Sequence, residues 1–483
     1  MSSPIAPQHP TSLATDRLAG SDPAPPPGAP SAAAGRPWTC PFCSLLCDSL
    51  QLAEAGGALV LQGSDCPRAL RALARFTPGA VATPLIAGQP ASLEAAIEQA
   101  AQWLAASRQP LFGGLGTDVM GARALYPLAC ATGAISDAAE GGALLHGLRA
   151  LQDRGQFTTT LAEVRNRADL IVCLGSSPGE AQPELWRRVS VGTPDGPSLV
   201  AQREVVFLGT PVDPALEGRP GITLTAIELH GDLFDTLSLL SARVAQRRVE
   251  APPALAALAE RLRAARYAVL VWEAARLPVQ GTLIVEAANQ IVDRLNRHRR
   301  AALLPLGGAD GLASVNQTFA WLSGLPLRSR AGPRGLEHEP VRFDADDLLA
   351  SGETDALLWI ASFGTEAARP AAADPSMPVI VLGGPGVEAP PRGVFIPVST
   401  PGIGQAGHLI RADGVVTLPV EALRDQGLPS VPEVLRALTV RVTALKNGAK
   451  AAASRAGERA AAITSAQTTA RPGAQADAGA RTP

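Results

Sequence analysis

The sequence predicts an α/β fold in which a small cysteine-rich β lid precedes two doubly wound, parallel-sheet domains. Short β-rich apolar runs alternate with longer helix-like segments from about residue 81 to residue 444, which is typical of parallel sheets covered by helices. The strand candidates are too numerous for one ordinary sheet, and a length of 483 residues allows about two to four domains. A short segment before them contains four of the six cysteines. These observations together predict a lid and two larger domains.

The strands and helices follow from hydrophobic pattern and capping residues. The predicted strands are Pro110–Gly113, Leu170–Leu174, Val205–Gly209, Leu224–Leu229, Ala268–Trp272, Ala302–Leu306, Leu357–Ala361, Val379–Leu382 and Val394–Val398. The predicted helices are Ser92–Ala106, Asp118–Ala131, Asp232–Val244 and Val279–Asn296. Each helix has the length of a crossover between parallel strands.

The lid is predicted over residues 38–78. Its two β-like runs, Ser49–Leu52 and Ala58–Gln62, are joined by Ala55-Gly56-Gly57, which is typical of a hairpin turn.

The two ends of the chain contain too few large apolar residues to form a hydrophobic core. Residues 1–37 contain nine prolines and no apolar run, so they predict a disordered leader and neither a secretory signal nor a membrane span. Residues 445–483 are mostly Ala, Ser, Thr and Arg and predict a disordered tail. We therefore expect a cytoplasmic protein without a membrane partner, whose cysteines are thiols or metal ligands in a reducing compartment.

The charge balance gives no indication of a nucleic-acid partner. The formal net charge is −2, and 18% of the residues are charged. Among the basic residues only Lys446 and Lys450 are lysines, which points to a compositional bias towards arginine. We attach no function to this richness in arginine.

The cysteines form one constellation and two isolated positions. Cys40, Cys43 and Cys47 lie within eight residues, and Cys66 follows the predicted hairpin. Three local thiols and a distant fourth favour a 4Fe–4S cluster, whereas a zinc ribbon has two Cys-x-x-Cys pairs. Zinc and a vestigial site without metal remain alternatives. The remaining two, Cys130 and Cys173, lie in apolar segments and are predicted to be core residues.

Three further groups have a structural and a functional interpretation. Gly113-Gly114-Leu115-Gly116, with Gly121, follows a strand and opens a helix, but the spacing does not fit a dinucleotide fingerprint and favours tight packing. Charged residues before the strand at Leu170 favour a solvated face or inter-domain ion pairs over a catalytic dyad; these are Glu163, Arg165 and Arg167. The last group is Arg411 and Asp413, which either pair to fix the turn around Gly404 and Gly407 or face a former cofactor pocket.

Several segments carry a family resemblance that spans roughly residues 38–440. The cysteine order followed by Arg68 resembles the N-terminal part of molybdopterin oxidoreductases of the formate dehydrogenase type. The segments His146–Gly155, Leu161–Ile171 and Gly402–Gly414 resemble the B subunit of formylmethanofuran dehydrogenase, a family with a bacterial branch in a formyltransferase/hydrolase complex. The resemblance implies a molybdopterin-oxidoreductase-like fold, with one discontinuous α/β domain (79–145 with 350–444) and a second one (146–349).

One position departs from the active members of that family. They carry a cysteine or selenocysteine that ligates molybdenum or tungsten immediately before the His-Gly pair, and this chain has Leu145 there. A leucine side chain cannot ligate a metal. The stretch 307–311 also lacks the arginine and histidine of active members. We therefore expect no molybdenum- or tungsten-pterin catalysis, and His146 is a vestigial candidate.

Three functions follow as hypotheses. The first is a redox-inert scaffold subunit of a formyltransferase/hydrolase complex in tetrahydromethanopterin-linked one-carbon metabolism, with the other subunits as partners. The second is an active molybdenum- or tungsten-pterin oxidoreductase that passes electrons to a 4Fe–4S cluster. The third is a zinc-stabilised α/β binding protein.

Overall fold

The computed structural model describes residues 35–77, 83–192, 200–308, 311–364, 369 and 371–469. The side chains of residue 457 and of residues 459–469 are outside this description. Residues 1–34 of the predicted leader (1–37) and residues 470–483 of the predicted tail (445–483) also lie outside the described residues.

All predicted strands are present, with ends that differ from the prediction by a few residues. In chain order the described strands are β1 (Arg36–Trp38), β2 (Leu50–Ala55), β3 (Ala58–Gln62), β4 (Leu85–Ile86), β5 (Gln89–Pro90), β6 (Pro110–Gly116), β7 (Ile135–Ser136), β8 (Leu170–Leu174), β9 (Arg203–Leu208), β10 (Ile222–Ile227), β11 (Tyr267–Glu273), β12 (Arg300–Leu306), β13 (Ser329–Gly332), β14 (Gly335–His338), β15 (Ala356–Ala361), β16 (Val379–Gly383), β17 (Val394–Pro397), β18 (Gly407–Ile410) and β19 (Thr417–Val420).

The four predicted helices are confirmed as α2, α3, α8 and α10 of the following set. In chain order the described helices are α1 (Pro67–Leu73), α2 (Leu93–Ala106), α3 (Val119–Thr132), α4 (Gly141–Arg154), α5 (Leu161–Arg167), α6 (Pro178–Ala181), α7 (Leu185–Arg188), α8 (Leu233–Val244), α9 (Pro253–Ala264), α10 (Gly281–Asn296), α11 (Leu312–Ser323), α12 (Ala345–Ser351) and α13 (Val431–Thr469). Ser92, Asp118 and Asp232 cap α2, α3 and α8, because each side chain accepts a hydrogen bond from a backbone N–H in the first turn.

The smaller sheet is entirely parallel and runs in the order β10–β9–β8–β11–β12. In chain order this is the 3-2-1-4-5 arrangement of doubly wound folds, whose switch point lies between β8 and β11. All residues of β8 and β11 are buried, because helices α8, α9 and α10 cover one face, and the lid with helices α5 and α7 covers the other.

The larger sheet runs in the order β14–β13–β7–β6–β15–β16–β17–β4–β5. Its parallel centre, β7–β6–β15–β16–β17, has the 2-1-3-4-5 order of the other common doubly wound arrangement. Antiparallel strands extend it at both edges. In doubly wound folds ligands bind beside the switch point, outside the carboxyl ends of the strands. Each of the two sheets therefore has one such position.

The lid is formed by β1–β2–β3 and α1. The predicted hairpin is confirmed, because β2 and β3 pair antiparallel around Gly56 and Gly57. The buried residues of the lid form one core with β8, β9 and β11 of the smaller sheet. Trp38 also donates from Nε1 to the carbonyl oxygen of Gly402 at 2.9 Å, which ties the lid to the C-terminal part of the chain.

The structure differs from the predicted division at three places. The predicted leader ends at residue 37, but β1 begins at Arg36 and pairs with β2, so the lid begins at least two residues earlier than predicted. The predicted second domain ends at residue 349, but β13 pairs with β7 and α11 packs on α3, so the segment from residue 311 onward belongs to the larger sheet. The predicted tail over 445–483 begins as an ordered helix, because α13 continues to Thr469. An alanine-rich segment without proline favours helix continuation, and this outweighed its lack of large apolar residues.

None of the helices within the described ranges is long and apolar enough to cross a membrane.

Candidate functional site

The four clustered cysteines are all buried in the lid. Cys40, Cys43 and Cys47 lie in the loop between β1 and β2, and Cys66 directly precedes α1. The loop closes on itself, since the backbone N–H of Cys40 donates to the carbonyl of Cys47 at 2.9 Å and that of Leu46 donates to the carbonyl of Cys43 at 3.2 Å. Cys66 lies close enough to Cys40 and Cys43 for its charge to raise the pKa of both, and the metal site at these cysteines stays a prediction.

Burial favours the protonated form of three of these thiols, Cys40, Cys43 and Cys47. Burial raises the pKa of Cys40 well above its ordinary value, and a neighbouring thiolate at Cys43, Cys47 or Cys66 would raise it further. Burial raises the pKa of Cys43 as well, and it raises that of Cys47 to about 12. Within the described ranges no three His, Cys, Asp or Glu side chains are arranged to hold a metal ion. The four cysteines have the donor atoms of a tetrathiolate centre, but in the described structure they do not adopt the arrangement of one.

Basic side chains lie beside the quartet. Arg68 donates from Nε to the carbonyl of Phe42 at 2.7 Å, and its charge lowers the pKa of Cys43 against the effect of burial. Arg188 is ion-paired with Asp48, and the hydrogen bond from this guanidinium lowers the pKa of Asp48. These cations favour the thiolate form, which is the form that binds metals.

The predicted pair of Arg411 and Asp413 forms, and it is buried. The guanidinium contacts both carboxylate oxygens, with Nε at 3.1 Å from each. Asp413 Oδ2 also accepts from the backbone N–H of Leu161 at 3.2 Å, and the backbone N–H of Ala412 donates to the carbonyl of Ser44 at 2.9 Å. The pair therefore fastens the cysteine loop to the start of α5 rather than fixing the turn around Gly404 and Gly407.

A cleft of about 520 Å³ lies between the two sheets, at the carboxyl ends of their strands. Its walls are the segment 137–143 after β7, the segment 274–279 after β11, and residues near Asp344 and Trp359. His146 of α4 also lines it. This is the position in which doubly wound folds bind ligands.

The floor of the cleft is a buried ion-paired group. Arg328 donates from Nε to Oδ2 of Asp137 at 3.1 Å and forms a second ion pair with Asp344. Asp137 Oδ2 also accepts from the backbone N–H of Ala345 at 3.0 Å, whereas its buried Oδ1 has no partner. Burial raises the pKa of Asp137 to about 6, although the charge of Arg328 opposes the shift. Arg328 adopts a φ of +62°, a strained conformation for a side chain of this size.

His146 lies beside this group as a neutral ring. Its Nδ1 is 3.5 Å from Oγ1 of Thr282, and the ring packs so closely on Gly281 that a Cβ there would lie 2.8 Å from it. Burial, together with the charge of Arg328, lowers the pKa of His146. Leu145 is half-buried on α4, and among the described residues that line the cleft there is no cysteine. The cleft therefore offers neither a soft anionic ligand nor an unpaired basic side chain to a metal–pterin group.

A second polar cluster lies at the switch point of the smaller sheet. Ser176 and Ser177 follow β8, and Glu273 ends β11. Ser176 and Glu273 interact through a side-chain hydrogen bond that lowers the pKa of Glu273, whereas the buried Oγ of Ser177 has no hydrogen-bond partner among the described residues. Burial raises the pKa of Glu273. Buried polar atoms of this kind are normally satisfied by water or a ligand, so this end of the site retains recognition groups.

The other predicted groups are structural. The glycines of β6 allow close packing, since a Cβ at Gly113 would lie 2.9 Å from the ring of Trp359, and one at Gly114 would lie 2.7 Å from the carbonyl of Ile360. Glu163 accepts a hydrogen bond from the hydroxyl of Tyr267 at 3.1 Å.

The charged residues of α5 and the two isolated cysteines do not line the cleft. Arg167 forms an exposed pair with Glu163 at 3.8 Å, and the carbonyl of Arg165 accepts from Arg203. Cys173 is buried as predicted. The prediction for Cys130 is wrong, because it lies on the exposed face of α3, and apolar neighbours in sequence do not reveal which face of a helix is covered.

Sequence reasoning missed the ion-paired group of Asp137, Arg328 and Asp344. Asp137 follows a strand of two residues, and Arg328 is 191 positions away. The available signal was weak: a carboxylate after an apolar run at Ala134–Ile135, near the carboxyl edge of the sheet.

Comparisons with known proteins identify relatives of the chain. No protein-family profile matches it. It is 33% identical to the B subunit of the formyltransferase/hydrolase complex Fhc of Methylorubrum extorquens, over 74% of this chain and 96% of that protein. It is 28% identical to the B subunit of the tungsten-containing formylmethanofuran dehydrogenase 2 of Methanocaldococcus jannaschii, over 78% of this chain and 91% of that protein. Among solved structures, the formyltransferase/hydrolase complex of Methylorubrum extorquens with methylofuran contains a chain that matches with a TM-score of 0.66 at 32% identity, covering 74% of this chain and 98% of that one.

Proposed function

Because the chain belongs to the family of the B subunit of the formyltransferase/hydrolase complex, we propose that it is a redox-inert scaffold subunit of such a complex. The complex would serve the tetrahydromethanopterin-linked oxidation of formaldehyde to formate, with the chemistry carried out by the other subunits. In this chain the molybdopterin-oxidoreductase-like fold is retained as a support for those subunits.

The single observation that carries the proposal is the ion-paired group on the floor of the cleft. Arg328 is 5% exposed and is neutralised by Asp137 and Asp344. An active metal–pterin site needs a protein ligand such as a thiolate, and in this chain the position before His146 is Leu145. Since buried ion pairs are costly to break, the group holds the segment 137–143 and helix α12 in place across the cleft.

We further propose that the quartet holds a 4Fe–4S cluster with a structural role. Cys40, Cys43, Cys47 and Cys66 supply four buried thiols, and the charge of Arg68 favours the deprotonated form of Cys43. A cluster there would cross-link the loop before β2 to the start of α1, so its free energy of binding would stabilise the lid. Zinc is the alternative occupant of the same thiols.

An active molybdenum- or tungsten-dependent oxidoreductase is the second candidate function. It is favoured by the buried, unpartnered Oγ of Ser177 at the switch point, where a nucleotide-bearing cofactor would bind in a doubly wound fold. The relatives from Methanocaldococcus jannaschii and Methanococcus maripaludis are named as tungsten-containing enzymes. This function requires a metal ligand other than the residue at position 145.

Elemental analysis of the anaerobically purified protein separates these functions. We expect about four irons and four acid-labile sulfides per chain and neither molybdenum nor tungsten. About one molybdenum or tungsten per chain would contradict the scaffold function, and zinc without iron would contradict the cluster.

A pair of matched variants assigns the iron to the quartet. Cys43→Ser removes one buried thiol of the quartet, so we expect the iron and sulfide to be lost and the lid to become sensitive to protease. Cys130→Ser removes an exposed thiol outside the lid and is expected to leave both contents unchanged. Equal iron contents in the two variants would place the metal elsewhere.

A further inference from the structure

A groove of about 660 Å³ lies on the smaller sheet's domain, where helices α8, α9 and α10 end. These crossover helices run antiparallel to the strands, so their carboxyl ends lie at the amino edge of the sheet, opposite to the cleft. The groove has an apolar floor that includes Val244 and Leu295, both buried. It is therefore a second concave surface, which the proposed function does not use.

The walls of this groove are almost entirely basic. Five arginines line it, together with His298, and no acidic residue is among its described lining residues. The arginines are Arg247, Arg263, Arg294, Arg297 and Arg299.

Acidic side chains compensate only part of this charge. Arg263 pairs with Glu260, and Arg297 lies 3.5 Å from Asp293. In the described part of the chain Arg247 and Arg299 have no acidic partner, and both are exposed.

Arg294 is held in place by a neutral group rather than by an acid. It donates to the carbonyl of Ser241 at 2.7 Å. Burial lowers the pKa of Arg294, and so do the charges of Arg247 and Arg297, whereas the charge of Asp293 raises it. The groove therefore holds more positive charge than its own surroundings neutralise.

The negative charge at the carboxyl ends of the helices does not neutralise the positive charge of the groove. The carboxyl end of each helix carries about −0.5 charge, so the three helix ends supply about −1.5. Five arginines with two acidic partners leave an excess of about +3 before this contribution and a clear positive excess after it.

We propose that this groove docks a carboxylate-rich segment of another subunit of the complex. Arginine forks pair with carboxylates bidentately, and the apolar floor accommodates the stems of the acidic side chains. Nucleic acid is disfavoured, since the chain has a net charge of −2 and a pI of about 6.3, without the overall basic character of such binders. This inference rests on the proposed membership of a complex.

The test uses charge reversal at Arg247 and Arg299, the two exposed groove arginines that have no acidic partner in the described part of the chain. Arg247→Glu with Arg299→Glu is produced in the full chain, together with the other complex subunits. The matched control is Arg334→Glu with Arg167→Glu, at positions whose side chains are 91% and 63% exposed. We expect the groove variant to bind its partner subunits at least about tenfold more weakly near 0.1 M salt, with the difference shrinking towards 1 M salt. The control is expected to assemble as the unmodified chain does.

A binding measurement on the full chain alone identifies the class of ligand. A synthetic peptide of alternating aspartate and glutamate is expected to bind the unmodified chain and not the groove variant. Equal assembly and equal peptide binding by the unmodified chain and the groove variant would overturn the inference. Binding of an RNA oligonucleotide in preference to the peptide would also overturn it. Failure of the unmodified chain to assemble with any subunit would instead refute the proposed function, and the peptide measurement would still decide the ligand class of the groove.

Discussion

Replacement of Asp137 by asparagine removes a buried carboxyl group whose pKa differs between the folded and the unfolded chain. The folded chain raises this pKa from 3.8 to about 6, so the folded state binds a proton that the unfolded state has released. The contribution to stability is therefore fully present below about pH 3.8 and is lost as the pH rises through about 6. The asparagine variant lacks this titration, while Arg328 keeps its second partner, Asp344.

The size of the effect follows from the shift. A rise from 3.8 to about 6 corresponds to about 3 kcal/mol, and about 2 kcal/mol of it falls between about pH 4.5 and about pH 7. The side chain of Asp137 is 2% exposed, so solvent screening reduces this figure little. We therefore follow the free energy of unfolding of the unmodified chain minus that of Asp137→Asn. We expect this difference to fall by about 2 kcal/mol between about pH 4.5 and about pH 7.

The assay is urea-induced unfolding of the full chain, followed by tryptophan fluorescence at a series of pH values. Glu353→Gln, at an exposed position, is the control and is expected to show no such trend. A difference between Asp137→Asn and the unmodified chain that is independent of pH, or that grows in the opposite direction, would refute the assignment of a raised pKa to Asp137.

Two further predictions concern packing and the lid. Gly114→Ala places a Cβ 2.7 Å from the carbonyl of Ile360 at a φ of +72°, whereas Gly56→Ala has a φ of +59° and nothing within 4 Å of its Cβ. We expect the first substitution to lower the free energy of unfolding by about 2–4 kcal/mol and the second by about 1 kcal/mol. Equal values for the two variants in urea unfolding would contradict the packing argument. Arg411→Met leaves the carboxylate of Asp413 buried and unpaired and is expected to cost about 3–5 kcal/mol, most of which returns when Asp413→Leu is added. An additive double variant would show that the two residues do not act as a pair.

The central strands could be predicted because they are continuous apolar runs. Strands β8 and β11 are buried on both faces, so each of their residues contributes to the signal. Strands β7, β13 and β14 contain two to four residues, and the last two are polar at an antiparallel edge, so they carry no periodicity. The predicted domain boundary at residue 349 failed for this reason.

The site was predictable only where it is local in sequence. Cys40, Cys43 and Cys47 lie in one loop, and their spacing is visible without a fold. The ion pair of Arg328 and Asp137 joins residues 191 positions apart, and only the folded sheet brings them together.

The basic groove could not be predicted from the sequence. Arginine is frequent throughout the chain, so the residues at the ends of α8, α9 and α10 do not stand out in sequence. Their concentration arises because three crossover helices end at the same edge of a parallel sheet, which is a property of topology rather than of local pattern.

The hydrogen bond from Trp38 to Gly402 spans 364 residues and has a consequence for how the chain is made. A ribosome adds about 5–20 residues per second, so roughly 20–70 s pass between synthesis of the two partners. The cysteine loop is fastened by the equally late backbone contact between Ala412 and Ser44. During that interval the thiols of the nascent lid are accessible to assembly factors and to oxidants alike, and they become enclosed only after Gly402 and Ala412 have been synthesised.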